Sequence, residues 1–116
     1  MKIKNNLKNY IDMLKHIVLF KFAITASERQ IEQALAKLGN LKNTTIPQIK
    51  SFSFGRNCSP ENLNKSFSYA FVMEFLSEED REDYLKHHDH IRVASDDIMH
   101  LTEDGINSVI VLDYKF

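Results

Sequence analysis

The segment "YLKHHDHI", residues 84–91, places a tyrosine, an aspartate and three histidines within eight positions. Imidazole titrates near ~6.5, which suits both taking up and returning a proton at neutral pH. A tyrosine hydroxyl close by can donate to a carbonyl oxygen and stabilise an enolate. The same stretch also offers nitrogen and oxygen ligands for a transition metal. On an unbroken helix His87 and His88 diverge, whereas His87 and His90, three apart, share a face. Beyond them only His16 stands out as a further ligand, so no metal site is assigned. Each residue also has a plainly structural use. Histidines suit the negative C-terminal end of a helix, and a tyrosine can pack its ring in a core with its hydroxyl at the edge.

Residue patterns predict the elements that would position these groups. "KHIVLFKF", residues 15–22, is an apolar run of strand length, buried on both faces. "SERQIEQALAKLGNLK" has capping-box spacing at Ser27 and Gln30, followed by an apolar stripe of Ile31, Ala34, Leu35 and Leu38. Gly39 suits the helix stop. "QIKSFSFGRN" places Ile49, Phe52 and Phe54 on a half-buried strand with a break in phase near Lys50, and "CSPENLNK" is a loop. "SFSYAFVMEF" alternates strictly, with Phe67, Tyr69, Phe71, Met73 and Phe75 on one side. Ser77 and Asp80 signal a second helix start, and "SEEDREDYLKHH" runs from acidic residues to basic and imidazole ones, matching the helix dipole. Glu82 and Lys86 have pairing distance, and the acidic run reads as a solvated helix start. Residues 89–103 read as a loop with one further helical turn, and "INSVIVLDYKF" as a last strand.

The order β-α-β-β-α-β is that of a ferredoxin-like α+β domain. Two helices cover one face of its four-stranded sheet, and the other face must find cover elsewhere. Both phases of the last strand are apolar, with Ile106, Ile110, Leu112 and Tyr114 on one side and Val109 and Val111 on the other. The expected solution is a homodimer through the sheet face, forming a dimeric α/β barrel.

With 116 residues the chain has room for one domain. Its 43% hydrophobic and 27% charged residues are ordinary for a folded chain, and a net charge of −1 lacks the basic excess of a nucleic-acid binder. No apolar run is long enough to span a membrane. The single Cys58 cannot form an internal disulfide, and without a signal peptide the expected location is cytoplasmic. Residues 1–12 read as a polar N-terminal extension, or as a short helix packing Leu7, Tyr10 and Ile11. Residues 13–116 read as the domain.

"MLKHIVLFKF", the spacing of Gly55, Asn57 and Ser59, "YLKHHDHI" and "VIVLDYKF" occur in an order that resembles the stress-responsive dimeric A/B barrel family. The resemblance runs from Met13 to Phe116. It implies ferredoxin-like protomers paired through their sheets. Some members are polyketide cyclases, in which a Y-x-x-H-P-x-H segment carries the chemistry. Carried over by position, its tyrosine is Tyr84, its first histidine His87 and its catalytic histidine His90, and His16 matches a histidine common in the family. The proline between the histidines is here His88, which leaves the turn less constrained. Two functional classes follow. One is a barrel that binds a small hydrophobic molecule against His16, His87, Phe20, Phe22 and Tyr69. The other is an enzyme that closes or cleaves a keto substrate, with Tyr84 as hydrogen-bond donor and His90 as acid and base. Neither calls for a cofactor.

Overall fold

The structure, a computed structural model, describes residues 13–116. The expected extension, with its stripe of Leu7, Tyr10 and Ile11, lies outside the described residues. The first apolar run forms β1 (Leu14–Phe20), in which burial alternates strictly. Phe22 lies beyond the strand and pairs singly with Thr102. Helix α1 (Glu28–Gly39) begins with the expected capping box: the Ser27 hydroxyl accepts from the Gln30 N–H at 3.1 Å, and the Ser27 N–H donates to Gln30 Oε1 at 2.9 Å. Its Ile31, Ala34, Leu35 and Leu38 are all buried. Strands β2 (Ser51–Arg56) and β3 (Tyr69–Phe75) follow, then α2 (Glu78–Lys86), capped by the Ser77 hydroxyl on the Asp80 N–H at 3.1 Å. The last strand, β4, runs Val109–Lys115.

The sheet order is β2-β3-β1-β4, with every neighbouring pair antiparallel, which is the expected ferredoxin-like arrangement. Leu14, Val18 and Phe20 of β1 and Tyr69, Phe71, Met73 and Phe75 of β3 meet the α1 stripe in one core. Cover is uneven across the sheet. The inward residues of β1 and β3 are buried, whereas β4 is exposed or half-buried along its whole length. On the face away from the helices Ile17, Leu19 and Val72 are half-buried, and Ile110, Leu112 and Tyr114 are exposed.

Three expectations need correction. Residues 89–103 are mostly helical: α3 (His88–Val93) runs on through a wide π-type turn at Ala94–Ile98 and a tight one at Met99–Leu101. The changing pitch removes the 3.6-residue repeat that marks a helix in sequence, yet still buries Val93, Ile98 and Leu101. Ile106 is not part of the last strand; it lies in a helical turn at Gly105–Ser108 and is largely exposed. Glu82 pairs with Arg81, Nη2 to Oε1 at 3.1 Å, rather than with Lys86.

Gly39 does more than end a helix. A Cβ there would run into the Phe52 ring. That ring packs tilted against Phe71 at 5.5 Å and Phe54 at 6.0 Å, so it has little freedom to yield. Gly39→Ala should therefore destabilise the protein by about 1–2 kcal/mol from overpacking, despite the better helix propensity of alanine. Urea denaturation checks this, and a gain in stability would show that the Phe52 ring moves aside freely.

Candidate functional site

Burial of a histidine in an apolar core requires a partner for it. His16, only 4% exposed, sits on the inner face of β1 between Leu14 and Val18. Directly across the β1–β4 pairing is Asp113, whose Oδ1 lies 2.7 Å from His16 Nδ1. A carboxylate accepts, so Nδ1 carries the proton and Nε2 of the neutral ring keeps its lone pair. The other carboxylate oxygen accepts from Arg81 Nη1 at 2.9 Å. Arg81 comes from α2, and its Nε is buried with no partner among the described residues. The chain Arg81–Asp113–His16 thus joins one helix and two strands.

Tyr84, on the inner side of α2, is 1% exposed and packs its ring 5.9 Å from His16 and 5.4 Å from Phe75. Burial pushes its phenol well above the usual range, so the hydroxyl stays protonated. It has no hydrogen-bond partner among the described residues. The His90 ring lies against it, 4.2 Å between centroids. His90 Nδ1 donates to the Leu85 carbonyl at 3.2 Å, which again leaves Nε2 as the acceptor. Burial holds the His90 imidazole below its ordinary pKa; the Leu85 bond opposes this, and the nearby His16 and His87 reinforce it.

These groups share a cavity of about 460 Å³ between α2, α3 and the inner face of β1 and β4. Its apolar wall includes Val18, Phe20, Phe71, Ile98, Val109 and Val111, and His16, Arg81, Tyr84, His90 and Asp113 supply polar groups. Ile106 and Val111 are largely exposed at its edge. A larger groove of about 740 Å³ lies between the end of α1 and the edge strand β2, but only lysines supply titratable groups there.

Of the residues singled out in the sequence, the structure brings His16, Phe20, Tyr84 and His90 to this cavity. His87, Phe22 and Tyr69 do not line it. Phe22 stacks on Phe20 at 5.1 Å and meets Tyr69 edge-on, both outside the cavity lining. His87 turns away because α2 stops at it: its extended backbone makes it the N-cap of α3, where its Nδ1 accepts the Asp89 N–H at 3.1 Å. It therefore starts a helix as well as ending one. The break also overturns the expected divergence of His87 and His88, whose rings stack at 4.9 Å.

His87, His88 and Asp89 bring ligand atoms within 4.8 Å of one another. The Asp89 oxygens already have partners: Thr45 Oγ1 at 2.6 Å, His88 Nε2 at 3.1 Å and Arg92 Nη2 at 3.2 Å. The Thr45 bond, aided by the neighbouring Arg92, holds the Asp89 carboxyl below its usual range. The cluster acts as a brace at the α2–α3 corner. Sequence reasoning missed Arg81 and Asp113. The one available signal was Asp113 itself, a charge in the same strand phase as Val109 and Val111.

The fold and cavity define a ferredoxin-like α+β protein with a polar-ended apolar pocket. The family model for the stress responsive A/B barrel domain matches residues 14–116, and the chain belongs to that family. It is 30% identical over 102 residues to the stress-response A/B barrel domain-containing protein HS1 of Arabidopsis thaliana, covering 88% of each chain. It is 28% identical over 78 residues to olivetolic acid cyclase of Cannabis sativa, covering 67% of this chain and 76% of that one. A dimeric ferredoxin-like protein of unknown function from Jannaschia superposes with a TM-score of 0.79 at 23% identity, covering 90% of this chain and 99% of that one. Among the described residues no helix is long and apolar enough to cross a membrane.

The environment of His90 sets a pH dependence. Its pKa is near ~6.5 in the unfolded chain and lower in the folded one, so between the two values the unfolded state binds more protons. The stabilisation is complete above about pH 6.5 and is lost as the pH falls below it. Melting temperatures across that range should drop for the native chain and flatten for His90→Gln. Equal slopes would mean that His90 is not the group responsible.

Proposed function

We propose that this chain is a homodimer, each protomer of which binds one small hydrophobic molecule in the cavity between its sheet and helices. The cavity itself supports this most directly: about 460 Å³ is a usual size for a small-ligand site, and its wall is apolar with polar groups gathered among His16, Tyr84 and His90. Pairing of protomers is supported by the exposed Ile110, Leu112 and Tyr114 on the face without helices, and by the description of the Jannaschia neighbour as dimeric. The exposed Cys58 has no pairing cysteine, which fits a reducing, cytoplasmic location.

A second reading is enzymatic, and the close Tyr84–His90 ring contact favours it. A protonated hydroxyl lies against an imidazole whose Nε2 has no partner among the described residues, both lining one cavity. Such a pair suits ring closure or cleavage of a keto compound, with Tyr84 donating to the carbonyl and His90 moving the proton. Similarity to a cyclase lends this support, while the fold alone assigns no reaction.

Native mass spectrometry tests the pairing, and thermal shift with a ketone tests the cavity. The untagged protein should appear as a dimer, and Leu112→Asp should convert it to a monomer by placing a charge in the apolar face. Val18→Trp, which fills the cavity, should abolish the thermal upshift given by an apolar ketone while leaving the dimer intact. A dimer unaffected by Leu112→Asp would remove the sheet-face pairing. A ketone upshift that survives Val18→Trp would remove the cavity.

A further inference from the structure

We propose that the groove between the end of α1 and β2 takes an extended, acidic segment of another protein, which adds to the sheet as a new strand along β2. Strand β2 is an edge of the sheet. The Asn57 N–H bonds the Ser68 carbonyl at 2.7 Å, and bonded residues alternate along an antiparallel ladder. Ser51, Ser53 and Gly55 therefore bond to β3, and the N–H and C=O groups of Phe52 and Phe54 point outward from the sheet. Neither residue's backbone has another partner among the described residues. Such a row of unpaired groups is a template for one more strand.

What lies beside the edge selects the occupant. Phe52 and Phe54 are only half-buried, because α1 ends at Gly39 and leaves their side of the sheet partly uncovered. The groove of about 740 Å³ next to them is lined by both rings and by Ala36, Gly39 and Asn40. Its charge is one-sided: Lys42 and Lys50 line it, and no carboxylate does. Arg56, at the far end of β2, is already paired with Glu28. Charge also disfavours a second copy of the chain here. Two β2 strands paired antiparallel about Ser53 would set Lys50 of one against Arg56 of the other, like against like.

The occupant is thus an extended run with apolar residues in alternate positions, set beside Phe52 and Phe54, and carboxylates where it passes Lys42 and Lys50. Backbone bonds hold it in register, the two rings receive its apolar side chains, and the lysines select its sign. The groove opens on the helix side of the sheet, at the opposite edge from the cavity beside β4. The site is therefore independent of the cavity and compatible with pairing through the other face.

The test adds the peptide acetyl-DEVTVTVED-amide to the whole chain and follows backbone amides by NMR and hydrogen exchange. Saturable shifts should appear at Gly39, Lys42, Phe52 and Phe54. Exchange at Phe52 and Phe54, fast in the free protein, should slow by about tenfold or more. Methylating the backbone nitrogens of the peptide's valines or of its threonines should abolish binding in one case and spare it in the other, because only alternate amides face β2. Replacing its acids by amides, as in acetyl-QNVTVTVQN-amide, should weaken binding by about tenfold, and so should combining Lys42→Glu with Lys50→Glu. Equal binding of the two methylated peptides overturns the strand addition. Equal binding of the acidic and neutral peptides overturns the selection for acid. Exchange already slow at Phe52 and Phe54 without peptide means that a second copy of this chain holds the edge, and overturns the proposal, as does no binding at all.

Discussion

A histidine on the central strand of an apolar sheet face cannot be buried alone, and much of the site follows from how His16 is satisfied. Its partner must come from a neighbouring strand in register, and Asp113 lies directly opposite on β4. Asp113 in turn is a half-buried carboxylate that needs a second donor, and α2 supplies Arg81. An unpartnered polar group at this depth would cost about 1–3 kcal/mol, enough to matter against the marginal stability of a small domain. The bond between His16 and Asp113 also pins β4, an edge strand with little helix cover, to the middle of the sheet.

That thin cover creates the cavity. The α1 stripe and the helical path from Glu78 to Leu101 lie over β1 and β3, leaving the inner residues of β4 as one wall of an open space rather than part of a packed core. Val109 and Val111 face it, and Tyr84 and His90 close it from the helices. The other side of β4 presents Ile110, Leu112 and Tyr114 to solvent. One strand therefore borders two surfaces, the cavity inward and an exposed apolar face outward, and apolar residues occupy both of its phases.

Most of the fold was legible in the sequence because its signals are local. Ser27 and Gln30 are three residues apart, and the alternation from Tyr69 to Phe75 is contained in seven. What could not be read depends on tertiary pairing. Asp113 meets His16 across 97 residues and Arg81 across 32. Arg81 was hidden in "SEEDRED", where charges resemble any solvated helix start, although its guanidinium turns inward. The break at His87 was invisible because His88 gives none of the turn signal that proline would, and so the direction of His87 was misjudged. Alternation marks the aromatics of a strand but cannot tell which end of a sheet bears a cavity, and Phe22 and Tyr69 lie at the other end from Tyr84.

Amide chemical-shift mapping with 2-decanone tests most directly whether the inner face of β4 walls a ligand cavity. Saturable shifts should concentrate at His16, Val18, Tyr84, Ile98, Val109 and Val111, with the resonances of Ile17, Val72 and Leu112 on the opposite face much less affected. Shifts concentrated on that opposite face, or none at saturating ketone, would contradict it.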